Sequence, residues 1–180
     1  SECRDQHSGD QAVSEARLAA RAVAWFARHG LAVHQEVAFR GRRIDIVACG
    51  TRRVAAVEAK RALGLDVIEQ AARWIPYATE VWVAAPRLAR PSRQAVAEAA
   101  CRYLGIGVLD VGRAPVVLVE PVTRAPKLGH ELVEALHPDQ ITRGVAGSNG
   151  GGYSTAFGRT AERLAAYVAG HDGCTLREAV

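Results

Sequence analysis

Three ionisable residues sit on two short apolar runs: Asp45 in the run 42–48, and Glu58 and Lys60 in the run 53–60. The turn signal Cys49, Gly50, Thr51, Arg52 between the runs predicts an antiparallel β-hairpin. Side chains alternate along a strand, so Glu58 and Lys60 point to one face. Asp45 shares its face with Arg43 and Val47, while Ile44, Ile46 and Ala48 take the other, aliphatic face. Two carboxylates brought together away from water repel unless a cation lies between them. The chemistry this predicts is a divalent metal held by Asp45 and Glu58, with the Lys60 ammonium beside it.

Composition points to the same lysine. The chain has 23 Lys and Arg together, yet Lys60 and Lys127 are its only lysines. An arginine-biased sequence thus places a lysine next to two carboxylates. Arginine is effectively always protonated, whereas an ammonium is a compact charge whose pKa can move. The structural alternative is an ordinary ion pair between Glu58 and Lys60 at a strand end.

The spacing Asp-x12-Glu-x-Lys follows an amphipathic helix and precedes a helix bearing Gln70. This pattern resembles the PD-(D/E)xK superfamily of restriction endonucleases, Holliday-junction resolvases and repair nucleases, the resolvase-like branch above all. The resemblance covers roughly residues 13 to 120, and Ile44 stands where the family name has Pro. It implies a restriction-endonuclease-like αβββαβ core, a mixed sheet flanked by helices. DNA is the implied substrate, Mg²⁺ the cofactor (with Mn²⁺ able to substitute), and 5′-phosphate ends the products. By the same resemblance Asp45 and Glu58 hold the metal, with the Ala59 carbonyl as a third ligand. Lys60 would orient the attacking water or offset charge on the phosphate. Glu15, on the first helix, would complete the acidic site, and Gln70 would position the nucleophile or the backbone. Each of the last two has a plain alternative: Glu15 suits the dipole of a helix first turn, and Gln70 suits a helix surface.

These residues need elements to position them. Ser14 as N-cap, the stripe Ala16, Leu18, Ala19, Ala22, Val23, Trp25, Phe26 and the stop at His29-Gly30 predict a first helix. Residues 31–39 alternate as a strand in which Glu36 is either a further site carboxylate or a solvated glutamate. A helix is expected over 64–76 with Leu65, Ile68, Ala72 and Ile75 inward, then a buried strand over 80–85. A helix over about 91–104 and strands over 106–111 and 115–120 complete an α-β-β-β-α-β-α-β-β order. The domain expected is 13–121, with 1–12 as a disordered N-terminal segment. Residues 122–152 read as a connector with a short helical stretch over 128–136 and a Gly-rich linker over 144–152. Residues 153–180 read as a helical tail resembling the start of a winged-helix or helix-turn-helix module, cut before any recognition helix.

With 180 residues, 49% of them hydrophobic, the chain suits one core plus a small appendage. No run approaches the ~20 apolar residues of a membrane span, and no signal-peptide pattern opens the chain, so a cytoplasmic protein is expected. The absence of methionine predicts a processed or trimmed N-terminus. Cys3, Cys49, Cys101 and Cys174 form no CxxC pair, and the histidines lack ligand spacing, which argues against zinc. Net charge is +4. Arg40, Arg42, Arg43, Arg52, Arg53 and Arg61 cluster along the hairpin sequence, which suits a phosphate backbone or a merely solvated face. The expected partner is DNA, with a homodimer left open and neither membrane nor small-molecule cofactor involved. Two other functions fit the same residues: a non-catalytic DNA-binding or assembly module with a vestigial acidic site, and the sensor part of a winged-helix regulator.

Overall fold

A computed structural model of the chain describes residues 14–142. The segments expected as a disordered N-terminus, a Gly-rich linker and a helical tail lie outside the described residues. The first helix, α1 (Glu15–Arg28), is capped by Ser14, whose hydroxyl accepts the Arg17 N–H at 3.3 Å. It buries Leu18, Ala19, Ala22 and Phe26 and ends at Gly30, whose φ of 77° suits glycine.

The strands follow as β1 (Ala32–Phe39), β2 (Arg42–Cys49) and β3 (Val54–Ala59), an antiparallel meander. Arg40 and Gly41 both have positive φ, the two-residue turn that matches strand twist between β1 and β2. Then come α2 (Leu65–Ala72), β4 (Glu80–Ala85), α3 (Pro91–Leu104), β5 (Gly107–Asp110) and β6 (Val116–Val119). All six strands form one mixed sheet in the order β1-β2-β3-β4-β5-β6, parallel from β3 through β5 and antiparallel elsewhere. The fold is α/β, a six-stranded mixed sheet flanked by helices. α1 packs on one face, against Val57, Ala59, Trp82 and Leu109. α2 and α3 pack on the other, against Ala56, Val81, Val83 and Val108. β4 is buried along its whole length, as a central parallel strand must be.

Two departures from strand and helix periodicity shape the site. The hairpin was expected to keep Ile44, Ile46 and Ala48 on one face. Instead Val33, Ile46 and Ala48 join the α1 layer, while Val37, Phe39 and Ile44 join the α2 layer. The change occurs at Glu36, a buried glutamate with a left-handed φ of 56°. The second departure is in α2, which ends at Ala72 and gives way to tight turns as far as Tyr77. Its inward residues are Val67, Ile68 and Ala71, followed by Trp74, and Leu65 is 75% exposed.

Residues 122–142, expected as a connector, pack on the same core. The Arg124 guanidinium bonds the carbonyls of Leu104, Gly105 and Val122, and its backbone N–H bonds Thr79 O at 2.8 Å. In α4 (Gly129–Glu134) Leu132 is fully buried in the α2 layer, and α5 (Asp139–Thr142) lies along β1.

Candidate active site

Backbone pairing between β2 and β3 runs from Cys49↔Val54 to Ile46↔Val57 and then stops. At the next step the strands part, and the Asp45 side chain fills the gap. Its Oδ2 accepts the Ala59 N–H at 2.9 Å and the Lys60 Nζ at 3.3 Å. β3 meanwhile continues on β4, with Ala59 opposite Ala84 and the Lys60 N–H on Ala84 O at 3.0 Å. In an extended strand a residue's N–H and C=O leave the backbone on the same side. The Ala59 carbonyl therefore leaves β3 on the Asp45 side.

Glu58, one residue before, turns to the α2 layer, where its Oε1 accepts the Trp74 indole N–H at 2.7 Å. Asp45, Glu58 and Trp74 are all buried, and the Lys60 side chain is 30% exposed at the mouth. Burial pushes the Glu58 carboxyl well above its ordinary value, and the Asp45 charge and hydrogen bond push it the same way. The Trp74 N–H and the Lys60 ammonium oppose that shift without cancelling it. For Lys60 burial works against the charged form, but Asp45, Glu15 and Glu58 outweigh it, so the ammonium is held more firmly than in water. Glu15, in the first turn of α1, thus lies within the electrostatic reach of Lys60.

The expected site residues divide accordingly. Asp45, Glu58, Ala59 and Lys60 come together at the end of β3, and Glu15 of α1 is linked to them by its electrostatic effect on Lys60. Gln70 sits half-buried in α2 and, among the described residues, makes no hydrogen bond to them. Glu36 is buried rather than solvated, and it holds the Arg43 Nε at 2.7 Å. The arginines split between the two ends of the hairpin. Arg42, Arg43 and Arg61 lie at the site end, and Arg42 and Arg61 are exposed there. Arg40 is clamped to Glu131 at 2.7 Å and lies over the Tyr77 ring. Arg52 and Arg53 are at the far turn, five residues or about 17 Å along the strand from Glu58 to Arg53. Arg53 there pairs with the buried Glu80 at 2.8 Å.

Trp74 is the residue that sequence reasoning missed. The signal was present in the spacing of Val67, Ala71 and Trp74, which fall on one helical face when Leu65 is left outside it.

Among the described residues no three His, Cys, Asp or Glu side chains form a ligand cluster. The donors on hand are two carboxylates and a backbone carbonyl. Mg²⁺ takes hard oxygens, keeps several waters and needs only one or two carboxylates, so these residues fit it. Burial and the Asp45 charge raise the Glu58 carboxyl, and a bound cation would oppose that rise. Compared with protein-family models, curated proteins and solved structures, the chain matches none.

Proposed function

We propose that the chain is a metal-dependent nuclease, hydrolysing DNA phosphodiester bonds on a restriction-endonuclease-like core formed by α1, β1, β2, β3, α2 and β4. The observation that carries this reading is the convergence of Asp45, Glu58 and Lys60 where the β2–β3 ladder ends. Mg²⁺, when bound, would polarise the phosphate and lower the pKa of a water. Asp45 and Glu58 would hold it together with the Ala59 carbonyl. The protein does the rest by position. Ala59 N–H and Lys60 fix one Asp45 oxygen, which leaves the other for the metal. The Lys60 ammonium, kept charged by Asp45 and Glu15, stands at the mouth where a phosphate oxygen gains charge during attack. Arg42 and Arg61, exposed beside it, would take flanking phosphates.

Cleavage of duplex, branched and single-stranded DNA in Mg²⁺, Mn²⁺ or EDTA tests the reading. Wild type should cut in either metal and not in EDTA. Lys60→Arg should lose about 10²- to 10⁴-fold in rate with DNA binding kept, because a planar fork replaces a compact charge in limited space. Wild-type rates in Lys60→Arg would leave Lys60 as a structural partner of Asp45, whereas no cleavage by wild type in either metal would make a non-catalytic DNA-binding module the better reading.

A further inference from the structure

Beside the acids, the C-terminal ends of β3 and β4 carry an apolar groove. It opens at Ala62, two residues past Lys60 and so at most about 7 Å along the chain. The groove lies between the start of α2 and the first two turns of α3 and encloses about 640 Å³. Its buried lining is Leu63 and Ala97, with Leu88 half-buried beside them. The Leu88 N–H is held by Gln94 Oε1 at 2.8 Å, which fixes that wall. Leu65 and Val96, 75% and 69% exposed, also line the groove and stand open to solvent. Ser92 and Arg93 are its polar lining, and no acid lines it. Arg61 immediately precedes Ala62, and both Arg61 and Arg93 are exposed.

A paired base keeps its faces stacked on its neighbours and shows a protein only its edges and the phosphate chain. Cations alone would serve such a substrate, and aliphatic side chains beside them would gain nothing from it. An unpaired base has bare apolar faces, while its strand still carries a negative charge at every step. Aliphatic lining next to Lys60, Arg61 and Arg93 is complementary to that combination. We infer that the groove takes an unpaired nucleobase of the DNA strand, within about two nucleotides of the phosphate to be cut. The inference rests on the nuclease reading above and goes beyond it by naming the feature of the substrate that is recognised. Leu65 and Val96 would cover the faces of the base, and Arg61 and Arg93 would take the phosphates beside it. What is read is the bare base, not the bend or branch that carries it.

The test measures DNA binding to the full chain by fluorescence anisotropy in EDTA, so that affinity is separated from cleavage. Three labelled DNAs are compared: a perfect duplex, the same duplex with one extra, bulged thymidine, and that bulge with its base removed. Wild type should bind the thymidine bulge about tenfold more tightly than the abasic bulge, the lower part of the range for a base held on a side chain. The double substitution Leu65→Ser and Val96→Ser, at two exposed positions, should bring that ratio to one and leave affinity for the perfect duplex unchanged. Should the double variant fail to fold, Val96→Ser alone should lower the same ratio. Equal wild-type affinity for the two bulges, or a ratio that survives the substitutions, overturns the groove and leaves the nuclease reading standing. If wild type sediments as a dimer that the double substitution splits, a second copy covers the groove, and the inference is overturned. If wild type binds none of the three DNAs, the nuclease reading falls and the inference falls with it.

Discussion

Without metal, the buried pair of acids should make the folded protein less stable as pH rises. The Glu58 carboxyl is pushed up to about 8, from an ordinary 4.5, by burial and by Asp45. Folded Glu58 therefore keeps its proton to a higher pH than unfolded Glu58. Between those two values the folded state binds more protons, and stability falls as pH rises through that window. Each tenfold change in proton affinity is worth about 1.4 kcal/mol, which sets a ceiling of about 5 kcal/mol. Relaxation around the ionised pair should bring the measured loss to about 2–4 kcal/mol. The comparison protein is Glu58→Gln, whose amide oxygen can still accept the Trp74 N–H and which cannot ionise. Urea unfolding in EDTA from about pH 5 to about pH 8 should show wild type losing stability relative to Glu58→Gln. Mg²⁺ added at the upper end should restore wild type alone. Equal pH slopes in the two proteins would refute the reasoning, since the extra proton held by the folded state would then not belong to Glu58.

Mg²⁺ or Mn²⁺ should raise the thermal stability of wild type and not of Asp45→Asn, by about 2.7 kcal/mol at a hundredfold excess over Kd; equal shifts would remove Asp45 as a ligand. Asparagine is the better variant than alanine because it leaves an acceptor for the Ala59 N–H. Replacing Arg42 and Arg61 with alanine should weaken binding to any DNA and reduce the salt slope by about 0.9 for each phosphate no longer neutralised, as read by titrations at several salt concentrations. Arg53→Ala, at the far turn, should leave that slope alone. Its effect should be a loss of about 1–3 kcal/mol in urea unfolding, because the buried Glu80 loses a charged partner and, among the described residues, keeps the Trp82 indole N–H.

The hairpin, its turn and the meeting of Asp45 with Lys60 were legible because the two-residue strand period is rigid and a turn signal separated the two runs. The same period misplaced Ile44. Extrapolating it assumes an unbroken pleat, and no propensity marks Glu36 as the residue where the hairpin crosses the sheet face. For α2 the fault was one of phase. Leu65 looked like the start of a buried stripe, but the N-terminal turn faces water; Ile68 is buried and Ala72 and Ile75 pack against the core part-exposed, while the most buried face runs through Val67 and Ala71 to Trp74. The split of the arginines was in principle readable, since strand rise alone puts Arg53 far from Glu58. What sequence could not supply was the packing of Val122 to Thr142, because the decisive contacts join Arg124 and Glu131 to residues distant along the chain.

Asp45 has a structural part besides the metal-binding one proposed for it. Its Oδ2 is the hydrogen-bond partner that the Ala59 N–H would have found in another backbone, had β2 stayed alongside β3. A lineage that lost the need for cleavage would not be free to put any residue there, because an apolar side chain would strand a buried N–H at a cost of about 1–3 kcal/mol. Asparagine and aspartate would persist for the sake of the strand, while Lys60, partly in solvent, could drift. An acid at position 45 is therefore weak testimony to activity in any related chain, and the lysine two residues beyond Glu58 is the stronger witness.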